Sequence, residues 1–92
     1  MPEKEFQKFL NRSEAKTRYW RIQKSDRNFF PDAHEIFKLK FHDNIYELKV
    51  NHKDDIMTGM LYADYKFFEG NKIEIKMKGN IYVLTAKDAE KW

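Results

Sequence analysis

Between Arg12 and Arg27 six basic residues (Arg12, Lys16, Arg18, Arg21, Lys24 and Arg27) stand against two acids, Glu14 and Asp26, with Tyr19 and Trp20 interleaved. This stretch carries +4 in a chain whose net charge is +3, so the other residues sum to about −1 and the positive charge is gathered in one region. Such a footprint suits a polyanion, and nucleic acid is the first partner it implies. A second set, Asp32, Glu47 and Lys49, offers two carboxylates for a magnesium ion and an ammonium near an attacking water. Glu and Lys two apart also describe the wet face of any strand. His34, His42 and His52 lie far apart in sequence with no cysteine to join them, so they suit surface or capping positions better than a metal site, and no cofactor is expected.

The elements that must position these residues belong to one domain, since 92 residues suffice for a single modest core. Eight Phe and five Tyr supply that core despite the many charges. The absence of cysteine removes disulfides, zinc ribbons and thiol chemistry and fits a cytoplasmic setting, or a nuclear one in a eukaryote. Apolar runs are short and the first residues are polar, so neither a membrane span nor an export signal is expected.

Phe6, Phe9 and Leu10 follow helical spacing, which predicts an amphipathic helix over Glu3 to Arg12 within an N-terminal extension of residues 1–16. Period two then governs residues 17–24, with Trp20 and Ile22 inward and Tyr19, Arg21 and Gln23 outward. A polar excursion, Ser25 to Asn28, hangs between that strand and the apolar Phe29-Phe30. Ile36 to Phe41 and Ile45 to Val50 alternate as the arms of a hairpin. A second polar excursion, Asn51 to Asp55, ends where Ile56-Met57 and Met60-Leu61-Tyr62 return to the interior around Gly59. Lys72 to Lys78 is the clearest strand, with Ile73, Ile75 and Met77 inward, and Gly79-Asn80 turns it into a partner, Ile81 to Thr85. Residues 86–92 are expected to be a frayed helix or loose tail. The fold class is mostly β with short helices, a small open or pseudo-barrel of five to seven mainly antiparallel strands over residues 17–85.

Three segments in order, Tyr19 to Pro31, Ile56-Met57-Thr58-Gly59, and Glu69 to Ile75 followed by Tyr82-Val83-Leu84, resemble the DNA-binding pseudobarrel of plant transcription-factor DNA-binding domains and of type II restriction endonuclease recognition domains. The segment Gly59 to Glu69 is shorter than that family's, and Gly70-Asn71 stands where the family usually has Gly-Asp. The resemblance implies two arms that grip the major groove. The first would be Arg21, Gln23, Lys24, Ser25, Asp26, Arg27 and Asn28, and the second Asn51, His52, Lys53, Asp54, Asp55, Met57 and Thr58.

On such arms Arg21, Gln23, Arg27 and Asn28 suit base edges, each bidentate pair discriminating by about 1–3 kcal/mol. Lys24 and Lys53, with Arg18 or Lys16, suit phosphates. Asp26, Asp54 and Asp55 suit cytosine N4 or the orientation of a neighbouring arginine. The expectation is a non-catalytic, sequence-specific double-stranded DNA recognition module of a restriction or regulatory system, with no membrane and no small-molecule substrate, alone, as a homodimer or within a larger parent protein. The alternatives are a small magnesium-dependent nuclease of Pro-Asp…Glu-x-Lys type and a dimeric regulator or protein-interaction domain.

Overall fold

A computed structural model describes residues 5–92. In chain order the elements are β1 (Glu5–Phe9), α1 (Arg12–Thr17), β2 (Tyr19–Arg21), a 3₁₀ helix (Lys24–Phe29), β3 (Ile36–Phe41), β4 (Asn44–Val50), β5 (Asp55–Met57), α2 (Gly59–Asp64), β6 (Tyr65–Lys66), β7 (Lys72–Lys78), β8 (Ile81–Thr85) and β9 (Glu90–Lys91). Seven strands form one mixed sheet in the order β1-β7-β8-β3-β4-β5-β2, which curls into a half-barrel, and β6 and β9 form a small second sheet. Every pair in the main sheet is antiparallel except β3 with β8, where Leu39 lies opposite Tyr82. Among the described residues no helix is long and apolar enough to cross a membrane.

Alternation dictates which face is filled. Phe37, Leu39 and Phe41 of β3, Tyr46, Leu48 and Val50 of β4, and Ile73 and Ile75 of β7 are buried, while Lys38, Lys40, Glu47 and Lys49 face outward, as the pleat requires. Met77 departs from the inward expectation and is 37% exposed. The ladder with β1 ends at Lys76 while that with β8 runs on through Met77–Tyr82, so at Met77 the strand has a neighbour on one side. Two aromatic groups fill the interior. Phe30 packs edge-on against Phe6 at 5.2 Å and stacks on Tyr82 at 5.5 Å. Trp20 meets Phe67 edge-on at 5.3 Å and also touches Tyr62.

The N-terminal expectation is corrected. The part of residues 1–16 that is described is not a helix laid on the barrel but an edge strand, β1, followed by α1. Phe6 and Leu10 are buried whereas Phe9 is 67% exposed. That is strand parity, enforced by the ladder from Glu5–Lys76 to Phe9–Lys72, a long-range pairing that overrides the local helical spacing. The helix starts later, at a capping box in which Asn11 Oδ1 accepts from the Glu14 amide at 2.8 Å and Glu14 Oε1 accepts from the Asn11 amide at 3.0 Å. The C-terminal tail is corrected too, because β9 pairs with β6. Trp92 strengthens that docking, donating from its amide to the Asp64 carbonyl at 3.1 Å and from Nε1 to the Tyr62 carbonyl at 2.8 Å.

The two outer strands of the sheet, β1 and β2, are joined by side chains. Glu14 is only 4% exposed, and its carboxylate accepts from the Arg21 amide at 2.8 Å and pairs with Lys8. Lys8 Nζ in turn donates to the Arg21 carbonyl at 2.9 Å. Beneath this knot Trp20 Nε1 donates to the Tyr62 hydroxyl at 3.0 Å, and that hydroxyl donates to the Glu14 carbonyl at 3.0 Å.

Burial pushes the Tyr62 hydroxyl up to about 12. Burial, then the hydrogen bond to Asp64, pushes Tyr46 up to about 12. Both folded values lie above the unfolded value of 10.0, so their contribution to stability is complete below pH 10 and is lost as pH rises towards 12. Urea unfolding across this range should show stability falling from about pH 10. Tyr62→Phe should lose about 1–3 kcal/mol at neutral pH, by leaving the Trp20 indole and the Glu14 carbonyl short of a partner, and should show a shallower alkaline decline. An unchanged alkaline slope in that variant would remove Tyr62 from the account.

Candidate nucleic-acid interface

Both polar excursions leave the same end of the sheet. β2 and β5 pair antiparallel with Arg21 opposite Asp55, so the chain departs into the first arm beside the point where it returns from the second. The first arm begins at buried Ile22 and ends at buried Phe30. Between them the expected loop is a 3₁₀ helix, closed by bonds from the Asp26 amide to the Gln23 carbonyl at 2.9 Å and from the Phe30 amide to the Arg27 carbonyl at 3.2 Å. Gln23, extended at φ −69° and ψ 153°, starts this helix with its side chain free of any cap bond.

The second arm is a tight turn built on Asn51. Its Oδ1 accepts from the Lys53 amide at 2.9 Å and from the Asp55 amide at 3.0 Å, the self-bonded turn that asparagine favours. Asp54 adopts φ 62°, which Asp tolerates better than most residues.

The arms are fastened to one another. The Ile22 amide donates to the Asp54 carbonyl at 3.0 Å, and Arg27 Nε donates to Asp54 Oδ1 at 2.8 Å. Arg27 Nη1 also donates to the Pro31 carbonyl at 2.7 Å and the Phe30 carbonyl at 3.3 Å. Its Nε and Nη1 are therefore engaged within the protein, and Arg27 staples the two arms together. Arg21 differs. Its side chain is 71% exposed and meets Asp55 only at 3.8 Å.

Gln23, Lys24, Ser25 and Asn28 on the first arm and His52 and Lys53 on the second are exposed. Asp26 and Asn51 are half-buried. Three residues assigned to the same surface lie elsewhere. Arg18, Met57 and Thr58 sit at the opposite end of the β2–β5 pair, where Tyr19 faces Met57, about 10 Å along the strand from the arms. Thr58 is fully buried and donates from Oγ1 to the Arg18 carbonyl at 2.6 Å, so it braces the backbone and cannot reach a ligand. Arg18 is exposed at φ 67° where α1 ends.

The arms carry four cations, Arg21, Lys24, Arg27 and Lys53, against three acids, Asp26, Asp54 and Asp55. Half of the +4 between Arg12 and Arg27 comes instead from α1 and its cap, where Arg12, Lys16 and Arg18 are all exposed. The nuclease set is not gathered into a ligand cluster. Glu47 lies opposite Lys38 on the outer face of the sheet, Asp32 is in the turn after the first arm, and among the described residues no group of three His, Cys, Asp or Glu side chains is placed to hold a metal. His42 instead packs on Phe41 and Tyr65.

Sequence reasoning missed Glu14 and Lys8, which fix the backbone of Arg21 at the root of the first arm. Asn11-x-x-Glu14, a capping-box signature, was the available signal. No family model matches this chain, and comparison with curated proteins and with solved structures gives no match.

Arg27→Ala should unfasten the arms. Amide hydrogen exchange is expected to accelerate at Ile22 and Asp54, with β7 and β8 unchanged, because only the bonds between the arms are removed. Protection at Ile22 and Asp54 equal to that of the parent protein would show that Arg27 does not couple them.

Proposed function

We propose that the protein is a non-catalytic double-stranded DNA recognition module whose two arms enter the major groove together. The observation that carries this reading is the pair of polar arms leaving one end of the sheet, fastened by Arg27 and Asp54, with Arg21, Gln23, Asn28 and His52 exposed on them. A groove about 12 Å wide accepts a paired structure of this kind. Arg21 offers a fork for guanine O6 and N7, and Gln23 and Asn28 offer donor and acceptor together for adenine N6 and N7. Lys24 and Lys53 lie beside them as phosphate contacts, and Arg12, Lys16 and Arg18 extend the basic flank along the backbone. Asp55 stands near Arg21, 3.8 Å from its Nε, and leaves its fork open. A module of this size suits a restriction or regulatory system.

Selection from a randomised duplex pool should recover a short consensus. Arg21→Ala and Gln23→Ala should each relax it at one or two positions, costing about 1–3 kcal/mol on the preferred site. Lys24→Ala and Lys53→Ala should weaken all duplexes alike and lower the slope of log affinity against log salt by about 1 each. A pool that stays random, with Arg21→Ala binding as tightly as the parent, would rule the reading out.

A further inference from the structure

β3 and β4 are interior strands, flanked by β8 and β5, so their outward residues have no edge to protect and are expected to be polar. Ile36 and Ile45 are instead 65% and 57% exposed, and Met60 of α2 is 57% exposed. With Met57, Glu47 and Lys49 they line one open hollow of about 550 Å³. An outward isoleucine in a strand is explained by β-propensity alone. Met60 is on a helix, and its convergence with residues from β3, β4 and β5 makes the hollow a contiguous apolar feature of the kind that marks interaction sites.

Its length and charge select the occupant. Ile36 is opposite Lys49 and Ile45 is opposite Lys40, four ladder steps or about 13 Å apart. Residues i and i+8 of an α-helix are about 12 Å apart, so one face of a short helix reaches both ends. Lys49 and Glu47 line the hollow, and Lys38 and Lys40 stand on the same outward face of β3, opposite Glu47 and Ile45. A second copy docked symmetrically would bring six such lysines together with two glutamates, a repulsive arrangement. A nucleic acid would neutralise the lysines and leave Ile36, Ile45 and Met60 without an apolar counterpart.

We infer that this hollow docks an acidic amphipathic helix of a protein partner, its apolar stripe on Ile36, Ile45, Met57 and Met60 and its carboxylates against Lys38, Lys40 and Lys49. The site lies on the outer face and does not depend on the arms binding DNA.

The test displays randomised 16-residue helical peptides and selects them on the full chain. Enriched peptides should carry large apolar residues at i, i+4 and i+8 with a clear excess of Asp and Glu, and a synthetic winner should shift the methyl resonances of Ile36, Ile45, Met57 and Met60. Ile45→Ser/Met60→Ser and, separately, Lys40→Glu/Lys49→Glu should each weaken that peptide at least about tenfold. All four side chains face solvent or the open hollow, so a thermal melt should confirm that both variants fold. The inference is overturned by a pool without acidic excess, by no enrichment, by shifts confined to other residues, or by light scattering that shows a dimer dissolved by the Ile45→Ser/Met60→Ser change.

Discussion

One buried carboxylate closes this sheet. β1 and β2 are its two outer strands and have no ladder between them, yet Glu14 accepts from the Arg21 backbone on β2 and pairs with Lys8 on β1. A charge taken out of water is costly unless its lone pairs are filled. Here the Asn11 and Arg21 amides and the Lys8 ammonium fill them. The same arrangement explains why α1 can be as short as Arg12–Thr17. A helix of this length is not stable alone, and tertiary bonds through Glu14 and its carbonyl hold it across the opening.

Left-handed backbone recurs at the ends of elements. Arg18, His34, His42 and Asp54 have φ of 67°, 70°, 54° and 62°, a region disfavoured for residues with a Cβ. Three of them, Arg18, His34 and Asp54, are held by bonds from another element. Thr58 donates to the Arg18 carbonyl, the His34 amide donates to the Val50 carbonyl at 2.7 Å, and Asp54 receives Ile22 and Arg27. These bonds tie the start of β2, the turn before β3 and the second arm to neighbouring elements.

The β3–β4 and β7–β8 hairpins were legible because each buries one face, and period two then fixes parity and register together. The half-barrel followed from their number and spacing. What could not be read locally were pairings across long separations. Phe6, Phe9 and Leu10 satisfy a helix as well as they satisfy β1, and only β7, some 65 residues later, decides the matter. Ser25 to Asn28 has loop composition but is wound as a 3₁₀ helix closed by i to i+3 bonds at both ends. Arg27 carried the right chemistry for a base contact, and the partner that occupies it, Asp54, is 27 residues away. Thr58 belongs to the second arm only through the resemblance, and in the fold its amide and its hydroxyl both donate to the Arg18 carbonyl across the β2–β5 pair.

Charge and hydrogen-bonding capacity fall on neighbouring elements. The arms nearly balance their cations with acids, whereas Arg12, Lys16 and Arg18 stand exposed on α1 and its cap, a helix whose Glu14 reaches the Arg21 amide at the root of the first arm. Long-range attraction of a polyanion would therefore be set mainly by α1, with little preference for sequence. The arms, stapled and close to neutral, would gain from a duplex chiefly where donors and acceptors match, because the three aspartates add repulsion wherever no amino group meets them. In the proposed complex this division makes α1 the source of affinity and Arg21, Gln23 and Asn28 the source of discrimination, with Glu14 as the physical link that holds one relative to the other.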